Sequence, residues 1–153
     1  MIDLVKDLDK IDRQVLNILQ EDGRRSFAEI ARELDINEAT VRFRVKKLLD
    51  KEVIMQFSAL LNPRKIGLAV TGIIMATVDS RKSKDTFKEL GNLDELLHIF
   101  QCTGRYDFLA VANVENMEKL EKLKTKIKII SGIKDLEILA TTRLLKIEPS
   151  FKL

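Results

Sequence analysis

Apolar residues recur at helical spacing through the first third of the chain, then change to a strand-like pattern after Leu68. Asp9 stands as an N-cap before the stripe Ile11, Val15, Ile18 and Leu19, and Gly23 stands where a left-handed residue would end that helix. Ser26 and Glu29 have the spacing of a capping box, and Ile30, Ala31 and Leu34 continue as one apolar stripe. Asp35-Ile36-Asn37 interrupts the pattern, with Ile36 as an apolar plug and Asn37 as the next N-cap. Val41, Val45, Leu48 and Leu49 then fall on one side of a third helix, which Asp50 to Glu52 close.

Val53 to Leu60 reads as extended, and Asn62-Pro63 is a turn signal. Val70 to Val78 is β-branched and apolar on both faces. Ser83 to Leu90 is a short helix stopped by Gly91, Leu96 to Thr103 a strand, Gly104-Arg105-Tyr106 a turn, and Phe108 to Val114 a strand. Asn116 caps a helix carrying Met117, Leu120, Leu123 and Ile127, which stops before Ser131-Gly132. Leu136 to Ile147 reads as the last strand. The order β-α-β-β-α-β is the ferredoxin-like arrangement, in which two helices cover one face of a four-stranded antiparallel sheet. These strands are hydrophobic at consecutive positions, so the second face is apolar too. The simplest cover for it is another copy of the same sheet across a two-fold axis.

The fold class is therefore α+β: an N-terminal tri-helical helix-turn-helix domain over residues 1–52, an extended hinge over 53–66, and a ferredoxin-like βαββαβ domain over 67–153. A chain of 153 residues is long enough for two small cores of this kind. It is 45% hydrophobic and 33% charged, as a soluble globular protein is, and its net charge of +3 excludes a histone-like polycation.

Nucleic-acid binding must then come from local placement. From Arg42 to Lys51, Arg42, Arg44, Lys46, Lys47 and Lys51 face only Asp50. At about 100° per residue, Ala39, Thr40, Phe43, Lys46 and Lys47 point away from the apolar stripe, with Arg42 and Arg44 on its flanks. Small, methyl-bearing and aromatic side chains followed by cations suit a DNA major groove, where methyl and ring groups meet thymine methyls and Arg forks onto guanine. Phosphates take the remaining cations. A solvated basic face on an ordinary α-hairpin has the same pattern. For Phe43 the pattern leaves two positions open, against a base or folded back on the hinge.

Enzyme chemistry finds little support. His98 and Cys102 are the only residues of their types, and four positions along a strand separate them by over about 13 Å at roughly 3.3 Å per residue. Cys102 is expected to be a small buried hydrophobe. No zinc cluster, P-loop or GxGxxG occurs, and no metal or cofactor is expected. One cysteine fits a reducing compartment, MIDLVKD has no apolar signal-peptide core, and the uncharged run Ile66 to Val78 is too short to span a bilayer. A cytoplasmic protein with no membrane partner is expected. Abundant Lys and Glu lean towards a thermophile.

Taken in order, these pieces resemble the leucine-responsive regulatory protein family, Lrp/AsnC, the feast/famine regulators. Leu8-Asp9-Lys10-Ile11-Asp12 resembles the family's start, and Thr40-Val41, Arg44-Val45 and Leu48 its recognition helix. Asn62-Pro63-Arg64-Lys65-Ile66-Gly67 resembles its hinge and Thr103-Gly104-Arg105-Tyr106-Asp107 its ligand-loop signature. Two places depart. Glu52 stands before Val53-Ile54 where the family usually has glycine, and Ser131-Gly132-Ile133 replaces a frequent Pro-Gly-Val.

The resemblance implies a sequence-specific transcription regulator that binds a pseudo-palindromic operator in double-stranded DNA as a homodimer, often assembled further into octamers. It also implies a small-molecule effector, commonly an amino acid. The expected DNA-binding residues are Asn37, Ala39, Thr40, Arg42, Phe43, Arg44, Lys46 and Lys47. The expected effector residues are Thr103, Gly104, Tyr106 and Asp107, with Thr141 and Thr142 completing the shell from a neighbouring subunit. Gly104 lets backbone approach a ligand carboxylate, and Asp107 can hold an α-ammonium. The residues alone also allow a plain turn there. The alternative function is a ligand-sensing regulatory subunit whose helical domain docks on protein.

Overall fold

The computed structural model describes residues 8–153, which form two compact units: residues 8–59 with the C-terminal segment 146–153, and residues 60–145. The first unit contains three helices, α1 (Lys10–Glu21), α2 (Phe27–Leu34) and α3 (Glu38–Asp50). Capping decides where each begins. Asp9 and Asp12 form a reciprocal capping box on α1, Ser26 and Glu29 form one on α2, and Asn37 accepts the Thr40 N–H at α3. Asp35 turns left-handed at the end of α2, with φ of 52°, and sends the chain into the α2–α3 turn. One apolar cluster holds the unit together: Val15, Ile18, Leu19, Ile30, Val41, Val45 and Leu48 are all buried, and Ile36, Val53 and Ile54 pack around them.

Three expectations about this unit need correcting. Gly23 is not left-handed; α1 ends through Asp22, whose N–H bonds the Ile18 carbonyl. Leu16 is buried although the stripe omitted it, and Ile11 is only half-buried. Leu49 is exposed, because it lies one position past Leu48 and about 100° around the helix from it.

The end of α3 explains how the chain manages without the usual glycine. Lys51 is the C-cap, and Glu52 itself adopts the left-handed conformation with φ of 56°. The Glu52 N–H bonds the Leu49 carbonyl and the Val53 N–H bonds the Leu48 carbonyl, each at 2.9 Å. That pair of bonds is a Schellman motif built on a residue with a Cβ. Val53 and Ile54 then close over the core, and residues 55–62 form no strand. The last residues belong to this unit through Gln20, whose side-chain amide bonds both the N–H and the carbonyl of Phe151, at 2.6 and 3.1 Å.

In the second unit a 3₁₀ turn (Pro63–Ile66), capped by Asn62, precedes β1 (Val70–Val78), α4 (Ser83–Leu90), β2 (Leu96–Gln101), β3 (Phe108–Val114), α5 (Met117–Lys128) and β4 (Ile133–Ala140). The sheet order is β2-β3-β1-β4, antiparallel throughout, which is the ferredoxin-like topology. Ile74, Ala76, Phe108, Ala110 and Ala112 face the helices and are fully buried with Leu90, Leu120, Leu123 and Ile127. Register puts Ile73, Met75, Leu109, Val111, Phe100 and Leu139 on the other face, where Phe100 and Leu139 are about half exposed.

Both strand ends read too far from sequence are set by pairing. β2 stops at Gln101 opposite Phe108, and the Cys102 N–H to the Asp107 carbonyl closes the turn. β4 starts earlier, at Ile133 beside Val78, and its pairing ends at Ala140 opposite Gly72, beyond which the Thr141 N–H still donates to the Thr71 carbonyl. Met117 is exposed rather than part of the buried stripe of α5.

Relieving the left-handed Glu52 with a residue that lacks Cβ should stabilise the helical unit. Glu52→Gly is expected to raise its unfolding free energy by roughly 1 kcal/mol, read as a higher urea midpoint. An unchanged or lower midpoint would show that the Glu52 side chain compensates for its backbone.

Candidate functional site

The exposed side of α3 follows from its buried side. With Val41, Val45 and Leu48 turned inward, Ala39, Phe43, Lys46 and Lys47 are exposed, and Phe43 is 69% accessible. The ring of Phe43 therefore stands in solvent rather than being buried against the extended stretch that follows. Asn37 acts as the helix cap: its Oδ1 accepts the Thr40 N–H at 2.7 Å and the Thr40 hydroxyl at 2.8 Å. Arg42 is held on the same side, 2.8 Å from Glu38 and with its guanidinium 5.3 Å from the Phe27 ring centroid. Its side chain stays 66% exposed, so that pairing with Glu38 is solvent-screened and readily exchanged. The side chains of Lys46 and Lys47 make no hydrogen bond or ion pair among the described residues.

Arg44 is different. Its Nη1 donates to Asp9 at 2.6 Å and to Asp12 at 2.7 Å, and only 20% of its side chain is accessible. Arg44, expected among the DNA-binding residues from the flank of that face, is turned towards the start of α1.

The second cluster lies at the turn between β2 and β3. Gly104 has φ of 123°, a conformation that strains any residue with a Cβ. Tyr106 donates its hydroxyl to Glu137 of β4, and that carboxylate pushes the phenol's pKa up. Arg105 lies with its guanidinium 5.2 Å from the Tyr106 ring centroid. These side chains, with Thr77, Asp135 and Leu136, line an open depression of about 310 Å³. Thr77, Arg105, Asp135 and Glu137 were absent from the expected set. Asp135 falls before the expected start of β4 at Leu136, and Glu137 reaches the turn only because β4 pairs with β1.

Asp107 has a structural duty here. Its Oδ2 accepts the Val78 N–H at 2.7 Å, and its own N–H donates to the Ala76 carbonyl at 2.9 Å. Thr103 is exposed beside it. Thr141 and Thr142 are exposed but lie at the other end of the sheet. Thr141 bonds Thr71 while Asp107 bonds Ala76, five positions away on β1, or about 16 Å at roughly 3.3 Å per residue. Within one chain they do not share a site with Gly104 and Asp107.

His98 stacks on Phe100 with centroids 6.0 Å apart, and Cys102 is half-buried rather than a core residue. Among the described residues no three His, Cys, Asp or Glu side chains are grouped as a metal site would require, and no helix is long and apolar enough to cross a membrane.

Residues 8–49 match the AsnC-type helix-turn-helix domain, and residues 71–151 match the Lrp/AsnC ligand binding domain. The chain belongs to the Lrp/AsnC family. An uncharacterised HTH-type transcriptional regulator of Pyrococcus furiosus is 40% identical over 85% of this chain and 88% of its own. The HTH-type transcriptional regulator Ptr1 of Methanocaldococcus jannaschii is 42% identical over 75% and 78%. Among solved structures, a Neisseria meningitidis transcriptional regulator in complex with L-Met has the same fold, with a TM-score of 0.86, 24% identity, and coverage of 95% of this chain and 96% of that one. As an Lrp/AsnC protein, the chain combines a helix-turn-helix DNA-binding domain with a ligand-binding domain, and it is a transcription regulator. The reading of the helical unit as a protein-docking module is set aside.

The carboxylates that organise the helical unit define its acid limit. The Arg44 hydrogen bond holds the Asp9 carboxyl below the usual range, and the Ser26 hydroxyl does the same for Glu29. Groups lowered in the folded state bind fewer protons than in the unfolded chain, so their stabilisation is full above about pH 4–5 and is lost as pH falls through the depressed values. Thermal midpoints of the helical unit should be flat from about pH 5 to 7 and drop below about pH 4. A midpoint that rises on acidification would contradict the assignment.

Proposed function

We propose that this Lrp/AsnC regulator reads a pseudo-palindromic operator as a homodimer and is modulated by an amino acid bound near the β2–β3 turn. The observation that carries the DNA part is the outward face of α3. Ala39, Thr40 and Phe43 come first, for base edges and thymine methyls, with Lys46 and Lys47 behind them for phosphates. Arg42 joins them by exchanging Glu38 for a guanine or a phosphate. Asn37 contributes through the helix start that it caps, and Arg44 leaves the contact set.

The dimer is supported by the apolar face of the sheet opposite the helices, where Ile73, Met75, Leu109 and Val111 are only partly buried and Phe100 and Leu139 are about half exposed. A two-fold axis sets two copies of α3 on half-sites about one helical turn, roughly 34 Å, apart. The amino-acid effector is supported by the L-Met complex of the Neisseria meningitidis relative. It is further supported by the open depression beside that turn, where the carboxylates of Asp135 and Glu137 stand with Arg105 and Tyr106. The distance between Asp107 and the Thr141-Thr142 pair within one chain favours a site to which a neighbouring subunit brings the threonines.

Selection of bound fragments from random duplexes would supply the operator. With it, Lys47→Ala should weaken binding to all sequences alike and flatten the salt slope by about two units, one phosphate per copy of the dimer. Arg42→Ala should cost about 1–3 kcal/mol per half-site and relax preference at one position if it reads a base. Wild-type affinity and slope in both variants would remove this face of α3 from the interface.

The effector site needs a substitution that spares the turn. Asp107→Asn keeps an oxygen for the Val78 N–H but removes the charge an α-ammonium requires. Calorimetry over the common amino acids should show heat with wild type and at least tenfold weaker binding in the variant, with bare DNA affinity unchanged. Equal binding by both would place the ammonium elsewhere, and no heat with any amino acid would remove the amino-acid effector.

A further inference from the structure

We propose that Arg44 is the positioning residue of α3: through Asp9 and Asp12 it fixes the rotation of the DNA-reading helix, and it makes no DNA contact itself. The inference rests on the reading of α3 as the groove-facing helix and concerns what keeps it aimed.

The hydrogen bonds of the two carboxylates show how the device is built. One oxygen of each completes the capping box, Asp9 Oδ1 accepting the Asp12 N–H at 2.8 Å and Asp12 Oδ2 accepting the Asp9 N–H at 3.3 Å. The remaining oxygen of each, Asp9 Oδ2 and Asp12 Oδ1, accepts from Arg44 Nη1. The first turn of α1 and the middle of α3 are thus joined through one guanidinium nitrogen. Asp12 is only 2% accessible, so its charge has left water and depends on this cation. Arg44 Nε is buried with no hydrogen-bond partner in the protein, a cost of the inward position that the two charge-assisted bonds of Nη1 offset.

Apolar packing alone does not supply such aim. Val41, Val45 and Leu48 bury α3 against the core, but hydrophobic contact is non-directional and tolerates small rotations. A charge-assisted pair with two fixed carboxylates is directional. A rotation of about 20° at a helix radius of roughly 6 Å moves a side chain on the outer face by about 2 Å, enough to break a hydrogen bond to a base edge. For Arg44 to reach a phosphate it would have to abandon both carboxylates and leave Asp12 buried and uncompensated.

The test compares Arg44→Lys, Asp12→Asn and the double substitution in the full chain, each confirmed folded by circular dichroism and assayed well below its thermal midpoint. The readouts are affinity for the selected operator, affinity for random duplex, and the salt slope of each. Positioning predicts that Arg44→Lys and Asp12→Asn each lose about tenfold or more in operator-over-random discrimination, with the salt slope unchanged. It also predicts that the double variant is no worse than the poorer single one. A phosphate contact predicts the opposite for Asp12→Asn, which frees the cation and leaves affinity equal or tighter; that result would overturn the proposal. So would folded variants with wild-type discrimination, which is what a purely structural ion pair gives. Should Arg44→Lys not fold, Asp12→Asn decides alone, since its two predictions differ in sign. Wild type without preference for any duplex would sink this proposal and the groove-facing reading together, whereas wild-type preference with indifferent variants sinks this one only.

Discussion

A four-stranded sheet covered on one face is the constraint behind the larger unit. Its helix side is packed with small residues, Ala76, Ala110 and Ala112, which let α5 lie close enough for Leu120, Leu123 and Ile127 to be buried. Closeness on that side does nothing for the other, where Ile73, Met75, Leu109 and Val111 alternate with them along the same strands. A sheet that alternates large apolar side chains with small ones is two-sided by composition. That is why its strands read as continuous hydrophobic runs rather than as the in-out pattern of a solvated sheet.

The helical unit solves a different problem, directing charge on a chain whose net charge is only +3. Arg42 and Arg44 stand two positions apart and so about 200° apart around α3. One lies over Phe27 and beside Glu38, largely exposed, and the other is drawn under the helix by two aspartates of α1. Charge count along the sequence treats them alike. Their partners make one a surface cation and the other part of the packing.

What was legible in the sequence follows local rules. The Ser26–Glu29 capping box, the Asp9 and Asn37 caps, the plug at Ile36 and the order of strands and helices depend on residues close in the chain, and all were readable. Three of the differences have a common origin in distant partners. The end of β2 is set by where β3 begins, the start of β4 by its meeting with Val78 of β1, and the inward turn of Arg44 by carboxylates more than thirty residues away. Glu52 shows the reverse: the sequence lacks the expected glycine, yet the hydrogen-bond geometry of the helix end is met by a residue held left-handed against its preference. The cluster at the β2–β3 turn was half legible, because a glycine turn is local while the polar face of β4 becomes part of it only through sheet order.

That sheet order ties the β2–β3 turn to two more strands. Asp107 holds the last N–H of β1, and Tyr106 holds Glu137 of β4, the strand at the far edge from β2. Each of these bonds is made by a residue of the turn to a strand that is not its neighbour in sequence. A ligand that drew the Asp107 or Glu137 carboxylate to itself would therefore compete with a bond that fixes the end of β1 or the placing of β4. On the proposed effector site, binding there and holding the sheet's end would use the same oxygens, which is the kind of differential contact by which a ligand shifts a conformational equilibrium.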